Sequence, residues 1–172
     1  MGTRWTLLYH VRRNFGQYAQ QQWKKQNSPL SGKKKIQTVY RNEKGWLIFS
    51  EGTRFVFING NNSGDIHVSD PNSKTVVLVD TSGTVRFRYD GVPSLKTKPF
   101  DPSCLASDSL DRIIVVDKNN DCLHILDKNG NFLICVDNCG IDTPFGLRLD
   151  NDGRLWVGLT SDREIKVIEY LK

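Results

Sequence analysis

Self-similarity constrains this chain more than any other property of its sequence, because a repeat missed at the outset misassigns the whole fold. Residues 64–90 laid over residues 111–137, an offset of 47, are identical at Ile66/Ile113, Val68/Val115, Asp70/Asp117, Asn72/Asn119, Asp80/Asp127, Gly83/Gly130 and Asp90/Asp137. Apolar residues between these seven identities align as well. At an offset of 42, Asp108, Arg112 and Val115 match Asp150, Arg154 and Val157, while Leu105, Ile113, Ile125 and Leu126 meet Leu147, Leu155, Val167 and Ile168. Three consecutive copies follow, near residues 55–100, 101–143 and 144–172, the last one short.

The middle copy reads as strands at Cys104–Ser107, Ile113–Asp117, Cys122–Asp127 and Phe132–Val136, separated by turns. Asn129-Gly130 between two β-rich runs predicts a type I′ hairpin, with Ser82-Gly83 and Asp152-Gly153 in the same role. The unbroken runs Ile113–Val116 and Val76–Val79 predict sheets packed on both faces. Asp70, Asp80, Asp117 and Asp127, which close strands, are expected to accept hydrogen bonds from turn amides. Four short strands in each ~40–45-residue unit is the arithmetic of a β-propeller blade. The expected fold class is therefore all-β: a partial propeller of about three blades over residues 36–172, preceded by a short basic segment over residues 1–35.

Charge supports that division. The formal net charge is +5, yet residues 1–35 carry eight basic residues and no acid, so residues 36–172, with 16 basic and 19 acidic residues, hold −3. In the basic segment Trp5, Leu8, Val11, Phe15 and Tyr18 recur at helical spacing, predicting an amphipathic helix followed by a linker at Lys33–Lys35. Residues 36–54 look like a hairpin around Asn42–Gly45, with Ile36, Val39, Tyr40, Trp46, Leu47, Ile48 and Phe49 as packing residues.

No run approaches the ~20 apolar residues of a transmembrane helix, and Cys104, Cys122, Cys135 and Cys139 are too sparse for a disulfide-stapled secreted scaffold. The expectation is a cytoplasmic protein with reduced thiols. Cys135 and Cys139 form the one close cysteine pair, and Cys122 with His124 would complete four ligands on paper. Their strand and turn context argues for no metal, and no cofactor is implied.

Residues 100–133, FDPSCLASDSLDRIIVVDKNNDCLHILDKNGNFL, resemble the NHL repeat, and more closely the carboxy-terminal propeller of tripartite-motif ubiquitin ligases. The matching positions include Phe100, Pro102, Leu105-Ala106, Asp108-Ser109, Ile113, Val115, Asp117, Asn120, Leu123, Ile125, Asp127, Gly130 and Phe132-Leu133. Residues 65–70, 76–91 and 143–157 look like neighbouring repeats. The resemblance implies a recognition propeller. Three departures limit it: the family's Asn-His pair stands here as Asn120-Asp121, Cys104 stands where the family usually has glycine, and no cross-braced Cys/His pattern of a RING domain occurs. Ubiquitin transfer is therefore not expected. Family propellers resemble six-bladed rings of roughly 250 residues, so this length suggests a fragment, or a ring completed by blades of another chain. Open blade edges favour self-association.

Three functions follow for comparison. The first is noncatalytic protein binding, with Arg148, Arg154, Arg163 and Trp156 as surface candidates and a protein partner. The second is single-stranded RNA binding, which some NHL propellers perform and which needs a basic groove with stacking aromatics. The third is a lactonase-type propeller enzyme holding a metal in its channel. Of the inner-strand runs Phe55–Asn59, Cys104–Ser107 and Gly146–Leu149, only Asn59 offers a ligand for it. His10, His67 and His124 adjoin no recognisable nucleophile turn.

Overall fold

The computed structural model describes residues 39, 41–42, 44–54, 56–92, 98–161 and 163–170. The basic segment with its expected helix and lysine linker lies outside the described residues. Three antiparallel sheets are present: β1 (Phe57–Gly60), β2 (Ile66–Asp70), β3 (Thr75–Val79) and β4 (Val85–Tyr89) in the first; β5 (Pro102–Ser107), β6 (Ile113–Asp117), β7 (Cys122–Leu126) and β8 (Phe132–Val136) in the second; β9 (Pro144–Leu149), β10 (Leu155–Leu159) and β11 (Ile165–Ile168) in the third. Each sheet is a meander with its first strand at one edge, and the three first strands β1, β5 and β9 adjoin one another. This is blade geometry. Adding 47 to β2, β3 and β4 gives the bounds of β6, β7 and β8, and adding 42 to β5 and β6 gives those of β9 and β10.

Alternation along each strand sends neighbouring side chains to opposite faces. On the second blade Ile113, Val115 and Leu126 pack against Val76, Leu78 and Tyr89 of the first. Its other face, Ile114, Val116, Leu123 and Ile125, packs against Leu155, Val157 and Ile168 of the third. The run Ile113–Val116 is wholly buried because both faces of the middle sheet are covered, as its unbroken apolar sequence predicts. Each such side chain contributes about 1.5–3 kcal/mol on burial, so the two interblade cores hold the arc together.

The hairpins differ from the type I′ expectation. Gly130 takes φ 85°, but Asn129 does not enter the left-handed region; Gly130 N–H bonds to Asp127 O at 3.0 Å and Asp127 N–H to Asn131 O at 2.8 Å. This is a type I turn closed by a left-handed glycine, with the register slip of a bulge at Ile125/Leu126. The cause is the Asp127 carboxylate, which accepts from the Asn129 and Asn131 amides at 2.8 and 2.9 Å. Asp80, Asp108 and Asp150 hold their turns in the same way. Asp70 likewise takes turn amides, whereas Asp117 takes the Asp101 amide from the strand entry at 3.1 Å.

A Cβ on Gly130 would stand 2.5 Å from the Phe87 ring of the first blade, in a backbone conformation that side chains rarely adopt. Gly130→Ala is expected to destabilise the chain by roughly 2–4 kcal/mol from strain and overpacking together, measured as a shift in urea midpoint at unchanged m. An unchanged midpoint would show that the ring moves aside freely.

Residues 41–47 do form the expected turn, with a bridge from Arg41 to Leu47 and Asn42 accepting the Lys44 and Trp46 amides. The packing assignment needs correction. Trp46 and Leu47 are exposed, since the turn carries them outward, and only Ile48 is buried, with Val39 and Phe49 beside it against Val77 and Val79. Ile36 and Tyr40 lie outside the described residues.

Candidate functional site

Among the described residues, the third blade has one covered face and one open one. Leu155, Val157 and Ile168 point to the second blade, while Trp156, Gly158, Ile165 and Val167 point away from it. At the 42-residue offset these four correspond to Ile114, Val116, Leu123 and Ile125, all buried between the second and third blades. Trp156 is 42% exposed and Ile165 69%. On this face lies a shallow groove of about 470 Å³ bounded by Arg148, Asp150, Trp156 and Ile165. Its floor is Gly146 and Gly158, paired directly across β9 and β10, so bare backbone lies where the second blade has Cys104 and Val116.

The structure brings together two of the four surface candidates. Arg148 and Trp156 are cross-strand partners, and both border the groove. Trp156 donates its indole N–H to Asp150 at 2.9 Å. Together with the Arg154 amide, that bond holds the Asp150 carboxyl well below the usual carboxylate range. Arg154 is committed beside the groove, bonded to Asp150 at 2.9 Å and Asp152 at 2.6 Å. Arg163 sits apart in the β10–β11 turn with φ 57°, a position that Lys74 and Asp121 fill in the other blades at φ 57° and 53°. It is a turn residue. Sequence reasoning passed over Ile165 and Val167 although the 42-residue offset already aligned Val167 with Ile125.

Between the first two blades, Asn59 does not face a channel as a free ligand: its amide donates to Ser107 Oγ at 3.1 Å, and Ser107 Oγ lies 2.9 Å from His67 Nδ1. His67 is fully buried and its Nε2 has no hydrogen-bond partner among the described residues. Burial pushes its pKa down to about 4, against smaller opposing effects of Asp65 and Asp111. A serine beside a histidine suggests a nucleophile; here Ser107 is half-buried and accepts from Asn59, and His67 is fully buried.

A second polar cluster was less visible from sequence. Cys122, His124 and Cys135 place one ligand atom each within 4.8 Å of the others. Cys122 and His124 share one face of β7, and β8 sets Cys135 opposite His124. The hairpin centre at Asn129-Gly130 carried this pairing in the sequence. Cys139, expected as the partner of Cys135, instead packs at the other interblade core. Tyr89 Oη lies 2.6 Å from His124 Nδ1, and Asp117 Oδ2 lies 3.5 Å from Nε2. The rings of Tyr89, Phe100 and Phe132 surround the imidazole at centroid distances of 5.9, 5.1 and 5.7 Å. Burial, with the charges of Asp117 and the two cysteines, raises the Tyr89 hydroxyl well above its ordinary pKa.

No protein-family model and no curated protein matches the sequence. Solved structures do match the fold. A catalytically inactive virginiamycin B lyase from Staphylococcus aureus, crystallised with quinupristin, has a TM-score of 0.51 at 15% identity over 67% of this chain and 41% of the lyase. A streptogramin B lyase has a TM-score of 0.50 at 19% identity over 67% of this chain and 40% of its own. The chain thus spans well under two thirds of the length of these proteins, and the likeness is one of fold. The three meandering sheets and these matches make the described body a partial β-propeller.

Proposed function

We propose that the chain is a noncatalytic protein-binding propeller segment whose open β9–β11 face takes a further β-sheet blade. Trp156 and Ile165 are its apolar anchors, and Arg148 is the polar rim. One observation carries this reading: Trp156, Gly158, Ile165 and Val167 are uncovered at positions whose counterparts Ile114, Val116, Leu123 and Ile125 are buried under the next blade. Uncovered apolar faces of terminal repeats drive association. The resemblance of residues 100–133 to the propellers of tripartite-motif ligases supports a recognition role of that kind, in a reducing cytoplasm. Lyase activity belongs to the matched proteins, and at 15–19% identity it is no basis for a reaction here.

RNA binding is the weaker reading because most of the arginines it would use, Arg148 excepted, are already paired. Arg54 pairs with Asp101, Arg86 with Asp65, Arg112 with Asp108 and Arg154 with Asp150, while Arg88 donates to Ile48 O at 2.7 Å.

In a solution of the chain alone, the blade that meets this face comes from a second copy. Sedimentation of the 172-residue chain is expected to show concentration-dependent association. Trp156→Ser with Ile165→Asp should weaken it at least ~10-fold, the cost of burying one unpaired charge, without unfolding the chain by circular dichroism. A wild-type chain that stays monomeric at high concentration, or a variant that associates equally well, would overturn the assignment.

A further inference from the structure

We propose that Cys122, His124 and Cys135 form a binding site for a thiophilic transition-metal ion, zinc(II) first, at the contact of the first two blades. Tetrahedral zinc with Zn–S near 2.3 Å and Zn–N near 2.0–2.1 Å needs donor separations of roughly 3.5–3.8 Å. The three donor atoms already lie within 4.8 Å of one another, so about 1 Å of side-chain adjustment closes the site. The donor set, two sulfurs and an imidazole, suits zinc over magnesium or calcium, which require oxygen.

The rest of the blade repeat shows that packing does not demand these residues. At the positions of Cys122, His124 and Cys135 the first blade carries Thr75, Val77 and Arg88, and the third carries Glu164 and Lys166 at the first two. The ligand types coincide only in the middle blade, on one face and in one register. The imidazole is also held as metal-bound imidazoles are, with the far ring nitrogen meeting an oxygen. If Nε2 takes the ion, Nδ1–H faces Tyr89 Oη at 2.6 Å; if Nδ1 takes it, Nε2–H faces Asp117 Oδ2 at 3.5 Å. A route in exists as well. A cleft of about 460 Å³, with Lys74, Asp90, Lys98 and Asn120 at its walls, reaches His124 and Asp117 from solvent.

Binding releases one proton from each thiol, so the two thiolates balance the dication. The fourth position falls to Asp117 or to water from the cleft, because three protein ligands leave one tetrahedral site. The ion would join β7 to β8 and brace the face on which the first blade rests.

The test uses the full chain, reduced, with zinc content read by native mass spectrometry and cobalt(II) substitution read by visible absorption. The proposal expects one zinc per chain and the intense absorption of tetrahedral cobalt with a thiolate charge-transfer band. Cys135→Ser, at a half-buried site, should weaken binding by more than ~100-fold, beyond the ~10–100-fold typical of outer partners, and Tyr89→Phe by about 10-fold. Cys139→Ser should bind as wild type does. Circular dichroism separates loss of metal from loss of fold, and the wild-type measurements need no variant. Three results would overturn the site: a reduced wild-type chain that binds no stoichiometric zinc, a Cys135→Ser chain with unchanged affinity, or a Cys122–Cys135 disulfide persisting under reducing conditions.

Discussion

Acidification from pH 7 to pH 4 is expected to remove about 3 kcal/mol of stability through His67 alone. The residue is fully buried on β2, and burial lowers its pKa from 6.5 to about 4. A base whose folded pKa is depressed binds fewer protons in the folded state than in the unfolded one. Between pH 6.5 and pH 4 the unfolded chain therefore gains a proton that the folded chain refuses, and stability falls as the pH falls. The carboxylates of Asp80, Asp108, Asp127 and Asp150 titrate below their ordinary range in the folded chain, so the unfolded chain takes up their protons first, near the ordinary carboxylate pKa of about 3.9, and their share of acid destabilisation begins as the pH approaches 4. The difference between the wild-type chain and a His67 variant isolates the histidine's share from these carboxylates. His67→Ile places there the residue type that the next blade carries as Ile114, and its unfolding free energy should fall less steeply on acidification, so that the variant-minus-wild-type difference grows as the pH drops from 6.5 towards 4. Parallel urea titrations of the two chains at pH 7, 5.5 and 4.5 decide the matter, and identical slopes would show that His67 admits its proton in the folded state.

The blade repeat was legible because every level of the sequence agreed on it. The offsets of 47 and 42 place β2–β4 and β5–β6 onto their successors, and the apolar runs predict the two-sided burial of Ile113–Val116. The turns were misjudged in type and not in place. Asn129-Gly130 suggests type I′, but Asp127 two residues upstream supplies a carboxylate that accepts the Asn129 and Asn131 amides and selects the other geometry. A dipeptide rule cannot register a carboxylate outside the dipeptide. The hairpin at 41–47 was found, yet Trp46 and Leu47 were read as core because hydrophobicity says nothing about which side of a turn faces solvent.

The site was half legible for a different reason. Trp156 was expected as a surface residue, and the structure sets it at a blade-packing position that no blade covers among the described residues. Exposure at such a position depends on which blades adjoin it, and that information is absent from the strand's own sequence. Arg148 and Trp156 were chosen separately and prove to be cross-strand partners. Arg163 was chosen for its charge and proves to occupy a recurring left-handed turn position. The Cys122, His124 and Cys135 cluster spans two strands, so local spacing added Cys139, four residues after Cys135 and beyond the end of β8, to a set that the structure keeps without it.

Leu155→Ala is the substitution expected to cost most among the interblade contacts, about 3 kcal/mol within the 2–5 kcal/mol span for buried Leu→Ala changes. Leu155 is fully buried, pairs with Leu149 and Ile168 across the third sheet, and packs with Ile114, Val116 and Ile125 of the second blade. The third blade has three strands and one covered face, so this core is its main attachment, whereas the second blade is held on both sides. In a quasi-linear stack of repeats, a loss at a terminal interface lowers the stability of the terminal unit first. Hydrogen exchange of the Leu155→Ala chain should therefore show β9–β11 amides losing protection by roughly 100-fold, as a 3 kcal/mol change requires, while β5–β8 amides keep most of theirs. Ile165→Ala, on the open face of the same sheet, should leave both sets within about 0.5 kcal/mol of wild type. The contrast separates the two faces of one blade: one is packed against the second blade and holds the third in place, and the other is the surface offered for binding. Equal loss of protection across all three sheets would mean that the arc unfolds as a single unit, with no separate release of the third blade.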